Sequence, residues 1–442
     1  MKSSNYNFFI DFPESNQVLA YNSRTASLAL LEPKNYKEYL EFEKNSVIAG
    51  LDEDFLKKLK IGGFILENDI NEHDIITHHL LRNRYKTDTL DLTIATTLNC
   101  NLGCVYCFEK DIRSNKKMGD EVKDRIVSIV EEQAGTIKFL SICWYGGEPL
   151  LDMTVIRDLS NKFIDICESN KIEYSASIIT NGYNLTPDIA AELASLKVTF
   201  AQVTIDGPKP IHDVRRPLVG GQPTFDRILN NVEKASEILP ITLRINTDDS
   251  NKDDMDSLLD LIVARGLGSK VGVYLAQVKN ENECYNTNVC MATSAFTEIS
   301  DNFDKKAHLM GIGSNLYQYP APTGPYCGAD SANSYVIDPE GYLYNCWTEV
   351  GDMSKSFGNL VDYSFEGNIG LKLQYMLYEP QQNEECANCK YLPLCMGGCP
   401  YERLNNAGDY CAAIKYNLER KIKNYAKYVI EYQKEAKEKV EV

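Results

Sequence analysis

The chain has 442 residues, with 46 Lys and Arg against 63 Asp and Glu for a net charge of −17, and 43% of its residues are hydrophobic. One core stops growing at roughly 250 to 300 residues, so one large domain with smaller modules is expected; the acidic balance argues against a nucleic-acid backbone or an anionic membrane as the main partner. No apolar run approaches the ~18 residues of a membrane span and the N-terminus has no signal-peptide core, so a cytoplasmic protein is expected, in which 14 cysteines point to metal rather than to disulfides.

Residues 1–85 carry no cysteine. Apolar runs at Phe8–Ile10 and Val18–Ser23, helix-like segments over Asn35–Asn45 and Asp52–Leu59, and an apolar hairpin at Gly62–Leu66 predict a small winged-helix-like module. Over residues 86–310, six short β-rich runs follow: Leu90–Thr97, Ile137–Tyr145, Tyr174–Thr180, Val198–Asp206, Ile241–Asn246 and Val271–Ala276. Helical periodicity between most of them, as in Asp120–Gln133 and Phe225–Glu237, predicts an α/β fold with a parallel sheet curved as a partial (β/α)6 barrel.

In such sheets the chemistry sits beyond the carboxyl ends of the strands. There the sequence places Cys100-x3-Cys104-x2-Cys107 after strand one, Gly146-Gly147-Glu148-Pro149 after strand two, Asn181-Gly182 after strand three and Asp206-Gly207 at the end of strand four. Three thiolates from one tight loop leave one iron of a cubane open to an external ligand. The competing structural zinc loop needs a distant fourth ligand in a chain with only five His.

The run CNLGCVYCFE followed by GGEP resembles the radical S-adenosylmethionine (SAM) superfamily. The resemblance implies a 4Fe-4S cluster on Cys100, Cys104 and Cys107 whose open iron binds SAM, and a 5′-deoxyadenosyl radical that takes a hydrogen from substrate. It also implies that Tyr106 packs near the adenine, that Gly146 and Gly147 let the backbone approach the methionyl amino group, and that Glu148 completes that contact. The segment Thr204–Arg216 resembles the fourth-strand region of peptide-modifying members, with Thr204 meeting the ribose or carboxylate and Arg216 pairing with the carboxylate. Arg215 is the adjacent rival, and Asn181 and Leu275 are weaker candidates at strand ends. His212 reads as a satisfied loop histidine rather than a ligand.

The last quarter carries Cys327-x13-Gly341-x4-Cys346, then Cys386-x2-Cys389-x5-Cys395-x3-Cys399-x11-Cys411. This order resembles the SPASM domain, here residues 311–414, and the resemblance implies a distal 4Fe-4S cluster on Cys386, Cys389, Cys395 and Cys411 and a proximal one on Cys327, Cys346 and Cys399, for three clusters in all. The segment Asp338–Leu343 reads as a β-hairpin turn that brings Cys327 and Cys346 together. The proximal set lacks a fourth ligand; Cys290 or Cys284 could supply it, or the site stays open to a substrate thiolate. Cys143 reads as an inert core thiol and Cys167 as helix packing.

The first module looks like the leader-peptide recognition element of enzymes that modify ribosomally made peptides, and residues 415–442 read as an amphipathic helix packed on the body. Together these resemblances imply a peptide maturase that forms thioether cross-links, with a leader-bearing precursor peptide and a flavodoxin- or ferredoxin-like reductant as partners. Carbon-carbon cross-linking or epimerisation would use the same parts. Formylglycine formation on sulfatases is the rival activity, but members of that type carry Asp after the cysteine matching Cys346, where this chain has Trp347. An iron-sulfur electron carrier, the rival outside enzymes, leaves GGEP unexplained.

Overall fold

The structure, a computed structural model, describes residues 1–46, 52–281, 285–362, 368–405 and 410–440. The chain divides into two compact units. One gathers Met1–Arg84, Asn315–Tyr326 and Tyr378–Val442; the other comprises Tyr85–Ser314 and Cys327–Leu377. The stretch read from the sequence as one SPASM module is thus divided between them.

The first unit begins with β1 (Lys2–Ser3), β2 (Asn7–Phe12), β3 (Gln17–Asn22) and β4 (Ser27–Leu31), of which β2, β3 and β4 form an antiparallel sheet in that order. Asn22 closes the β3–β4 turn by accepting from the Arg24 and Thr25 backbone N–H groups at 3.1 and 3.0 Å, an Asx-type contact that lets a short side chain stand in for a backbone turn. Helix α1 (Pro33–Asn45) starts with Pro33, and α2 (Glu53–Ile61) is capped by Asp52, which accepts from Phe55 N at 3.0 Å. Both bury aromatic residues, Tyr39, Phe42 and Phe55, against β3 and β4. The expected apolar hairpin at residues 62–66 does not form: β5 (Ile65–Leu66) pairs with β1 instead, Lys2 opposite Leu66, before α3 (Glu72–Arg84).

The second unit is built on one nine-stranded sheet. Its six βα pairs are β6 (Thr89–Thr97) with α4 (Asp120–Gln133), β7 (Phe139–Gly146) with α5 (Met153–Asn170), β8 (Glu173–Thr180) with α6 (Pro187–Ser195), β9 (Val198–Thr204) with α7 (Lys209–Arg215) and α8 (Phe225–Ala235), β10 (Ile241–Thr247) with α9 (Met255–Ala264), and β11 (Val271–Gln277) with α10 (Thr293–Leu309). All six strands are parallel and lie in chain order, as the sequence predicted. The strands read as apolar runs because helices cover them; α8, for example, buries Phe225, Ile228, Leu229 and Val232 at helical spacing. Truncating such a residue to Ala costs about 2 to 5 kcal/mol.

Beyond β6 the sheet continues with β12 (Ser334–Ile337), parallel to β6, and then β13 (Tyr342–Tyr344) and β14 (Gly358–Asn359), both antiparallel to their neighbours. The expected hairpin is present, with Val336 opposite Tyr344 and Gly341 at φ +83° in its turn. Asp338 holds that turn, accepting from Glu340 N, Tyr342 N and the Tyr344 hydroxyl. Helix α11 (Ile369–Met376) ends this unit.

The chain then returns to the first unit as α12 (Glu384–Ala387), α13 (Leu392–Cys395), α14 (Pro400–Leu404) and α15 (Ile414–Val440). Helix α15 packs Leu418, Ile422 and Ala426 against Ile10, Phe12, Leu19 and Tyr21 of β2 and β3. Among the described residues no helix is long and apolar enough to cross a membrane.

Candidate active site

The three-cysteine loop leaves β6 through an irregularity in its pairing with β7, where the register shifts between Ala95 and Thr97. Such bulges re-aim a strand end beside a site. The loop is then tied to the end of α7 and the segment after it, through one isolated antiparallel bridge between Leu102 and Leu218: Gly103 N donates to Pro217 O at 2.7 Å, Val105 N to Arg215 O at 3.1 Å, and Val219 N to Asn101 O at 2.9 Å. On the other side Gly147 N donates to Thr97 O and Glu148 N to Asn99 O. The two glycines are required by this seam itself, since a Cβ at Gly146 would lie 2.3 Å from Thr97 O and one at Gly147 2.4 Å from Asn99 O. Gly146 also takes φ +114°, which side chains disfavour.

The loop borders a cavity of about 300 Å3 at the carboxyl ends of the strands. Cys100, Cys104 and Cys107 line it with Tyr106, Gly146, Gly147, Asn181, Thr204 and Arg216, so that six of the eight residues expected to meet SAM share one space with the three thiols. The other two do not line it. Leu275 is buried in β11. Glu148 is buried behind the cavity, where its carboxylate accepts from Thr180 Oγ1 and Asn181 N, each at 2.7 Å, and from Leu150 N at 3.0 Å. Burial raises its pKa while these donors oppose the rise. Glu148 therefore fixes the end of β8 and with it Asn181, whose amide donates to Asn101 at 2.8 Å.

Burial pushes the Cys100 thiol up to about 12 and Cys104 up to about 11, the latter opposed by the Arg216 guanidinium. Backbone and cationic donors are in place for thiolates: Leu102 N donates to Cys100 Sγ at 3.4 Å, and the Arg113 guanidinium hydrogen-bonds Cys107. Among the described residues no three His, Cys, Asp or Glu side chains are gathered as ligands of one metal ion. The thiolates of a cubane each take a different iron and need not converge on a point. Soft donors, a cation beside them and a buried Arg216 Nε with no hydrogen-bond partner fit a cluster with a carboxylate-bearing ligand on its open side.

The two neighbouring arginines have different surroundings. Arg215 is buried between two carboxylates, with Nε 3.3 Å from Asp206 and Nη1 2.9 Å from Asp248, and it also donates to Ser250 at 2.8 Å. Arg216 turns to the cavity, and its Nη1 donates to the Tyr106 hydroxyl at 2.7 Å. Tyr106 in turn hydrogen-bonds Asp206 and accepts from Asn246 Nδ2 at 3.0 Å. His212 is not a ligand: its Nδ1 accepts from Asp206 N at 3.2 Å, which leaves Nε2 to donate to Thr224 Oγ1 at 3.1 Å. Thr224 passes the chain on by donating to Arg216 O at 2.6 Å. Burial pulls the His212 pKa down to about 3, so the ring is neutral.

Cys386, Cys389, Cys395 and Cys411 all line a second cavity, of about 270 Å3, within the first unit. The loop Met396-Gly397-Gly398 takes three successive positive φ angles of 43°, 85° and 76°, and a Cβ on Gly398 would lie 1.9 Å from Tyr410 O. This close approach brings the backbone after Cys395 against the residue before Cys411. Cys399 immediately precedes α14 in the same unit and does not line that cavity.

Cys327 and Cys346 line a third cavity, of about 500 Å3, in the second unit, bordered by residues of β6, β7 and β12. Cys143, expected as an inert core thiol, faces this space with Asp91, Thr93 and Ser141, because β7 turns alternate residues inward. Cys290 does not line it; its thiol lies by Asn286 O, at 3.6 Å. Cys284 lies outside the described residues. Cys167 is buried in α5 as helix packing. Trp347 and Thr348 border both this cavity and the one at Cys100–Cys107, and the Trp347 ring packs on Tyr145 at 5.2 Å.

Sequence reasoning missed Arg113, Asn246 and the Tyr145–Glu109 hydrogen bond, in which burial lifts the Glu109 pKa to about 7. Arg113 and Glu109 follow the third cysteine closely enough to be found by asking what would neutralise and support it. Asn246 is the last residue but one of β10, where the strand-end rule applies equally.

Residues 94–262 match the Radical SAM superfamily model. Mycofactocin maturase MftC of Mycolicibacterium smegmatis is 26% identical over 330 residues, covering 70% of this chain and 77% of the relative. The fold is similar to native anSMEcpe with bound AdoMet, at a TM-score of 0.60 and 20% identity over 77% of this chain and all of the other. It is also similar to Streptococcus suis SuiB bound to precursor peptide SuiA, at 0.54 and 15% over 92% of this chain and 96% of the other. The six parallel βα units thus have the partial-barrel fold of these neighbours, and the chain carries a radical SAM domain over residues 94–262 and is an enzyme.

Proposed function

We propose that this enzyme modifies a ribosomally made precursor peptide, forming a thioether between a cysteine thiol and an unactivated carbon. The observation that carries the reading is that two further cysteine-lined cavities accompany the one at Cys100–Cys107. Four thiols around one space suit a complete auxiliary 4Fe-4S cluster on Cys386, Cys389, Cys395 and Cys411. Two in the cavity beside β6, β7 and β12 suit a second, incompletely ligated one at Cys327 and Cys346, open to a substrate thiolate.

The cluster and SAM, when bound at Cys100, Cys104 and Cys107, supply a 5′-deoxyadenosyl radical that takes a hydrogen atom from the peptide. Arg216, with its buried and unpartnered Nε, would hold the SAM carboxylate, and the Tyr106–Asp206–Arg215 network keeps Arg216 in place. Asn181 and Thr204 present polar groups to the same ligand. Trp347, at the border of two cavities, positions the peptide between them and keeps water from the radical carbon.

The precursor's leader docks on the first unit, where β4 is a sheet edge and a groove runs between β4, α1 and α2 past Leu30, Glu32, Asp54 and Phe55. SuiB, with its precursor peptide, supports a peptide of this kind as the partner. The test is anaerobic reconstitution with iron and sulfide, then SAM, a reductant and the short peptide encoded beside the gene. About twelve irons, 5′-deoxyadenosine, and a product that has lost two hydrogens and one alkylatable thiol are expected. A product that keeps every thiol would move the reading to carbon-carbon bonding or epimerisation. SAM cleavage with only about four irons would remove the auxiliary clusters.

A further inference from the structure

We infer that the exposed face of α15 is the docking surface for an acidic one-electron carrier that feeds the cluster at Cys386, Cys389, Cys395 and Cys411; the inference rests on the proposed presence of that cluster. From Lys415 to Lys434 the helix has Lys415, Arg420, Lys421, Lys423, Lys427 and Lys434 against only Glu419 and Glu431, in a chain whose net charge is −17. A local reversal of sign on an acidic protein focuses attraction on one place.

The charges are ordered on the helix. Leu418, Ile422 and Ala426 are buried against β2 and β3. Arg420, Lys427 and Lys434 repeat every seven residues and are all exposed, so they form one stripe. Lys427 pairs with Glu14 at 2.6 Å and Lys423 with Glu419 at 2.7 Å, but pairs this exposed are worth little and yield to a better partner.

The helix also touches the cysteine cavity. Lys415, in its first turn, lines that cavity, and its Nζ lies 3.2 Å from Cys411 Sγ. The stripe begins about 7.5 Å further along the axis. A carrier seated on it would stand beside the cluster edge while the buried face keeps the helix fixed. A cluster held by Cys386, Cys389, Cys395 and Cys411 would accept one electron from the carrier's anionic flavin hydroquinone, which would become the neutral semiquinone. No bond is made and no proton moves.

The test uses the reconstituted enzyme and an acidic flavodoxin, with Arg420→Glu/Lys427→Glu/Lys434→Glu compared with Lys34→Glu/Lys37→Glu/Lys57→Glu, a control of equal charge change on α1 and α2. Stopped-flow reduction by the flavodoxin hydroquinone should slow about tenfold in the first variant at low salt and the difference should shrink as salt rises. Binding of oxidised flavodoxin, measured by calorimetry, should weaken in parallel. Dithionite should reduce both variants like the parent. Absence of the auxiliary signal after dithionite would sink the cluster reading. Presence of that signal with equal flavodoxin rates in both variants would overturn the docking surface, as would sedimentation of the enzyme with phosphatidylglycerol vesicles through this same stripe.

Discussion

The Asn99 carbonyl oxygen stands 2.4 Å from where a Cβ on Gly147 would be, closer than any real Cβ contact. The seam between the end of β7 and the residue before Cys100 is therefore closed to every side chain. Gly147→Ala must push the cysteine loop away from the sheet and lengthen the Glu148 N to Asn99 O bond, now 2.9 Å. We expect a loss of about 1 to 3 kcal/mol in folding stability and a drop in iron bound at the three-cysteine loop. Thermal unfolding and iron counting check both, and unchanged iron would mean that the loop tolerates the shift.

Arg215 and Arg216 separate stability from binding. Arg215→Met leaves Asp206 and Asp248 buried without their cation and should cost about 3 to 5 kcal/mol. Arg216→Lys keeps a charge but not the guanidinium fork, so SAM binding should weaken about tenfold or more while unfolding changes little. Equilibrium SAM binding and urea unfolding of the two variants should give opposite orders of severity. The same order in both assays would show that the two arginines share one role.

The barrel was legible because helical periodicity separates most of the β-rich runs, and all six fell within two residues of the observed strands. The glycine pair was legible as a motif, but its reason was not: contact between two backbone segments far apart in sequence leaves no trace in local pattern. Glu148 reads in sequence as completing a ligand contact, but its role as a strand-end anchor was not legible, because its three donors, Leu150, Thr180 and Asn181, come from another strand end and from the turn after Glu148 itself. The Ile65–Leu66 pairing with Lys2–Ser3 was missed for the same reason, since a two-residue strand has no period to detect.

The cysteines divide by the cavity they face. Cys386→Ser, Cys389→Ser or Cys411→Ser should remove about four irons from the reconstituted enzyme and leave SAM cleavage measurable, because these thiols line one space in the first unit. Cys290→Ser and Cys167→Ala should keep the full iron content, since neither thiol lines any of the three cysteine cavities. Iron and sulfide assays with the reduced-cluster spectrum decide it. Full iron in Cys389→Ser would remove the assignment of that cavity to a cluster.

His212 gives a stability signature in pH. Its folded pKa is about 3, depressed by burial and by the nearby Arg216, against roughly 6.5 in the unfolded chain. Below pH 6.5 the unfolded chain takes up a proton that the folded ring refuses, so unfolding is favoured as pH falls and the stabilisation is present in full only above 6.5. The slope is about 1.4 kcal/mol per pH unit, or about 2 kcal/mol between pH 6.5 and 5. His212→Gln can still accept from Asp206 N and donate to Thr224, yet has no proton to gain. Urea unfolding at pH 7 and pH 5 should therefore show the variant losing about 2 kcal/mol less than the parent over that interval. Equal losses would mean that His212 is protonated in the folded protein, and that the hydrogen-bond chain from Asp206 through Thr224 to the Arg216 carbonyl runs in another sense.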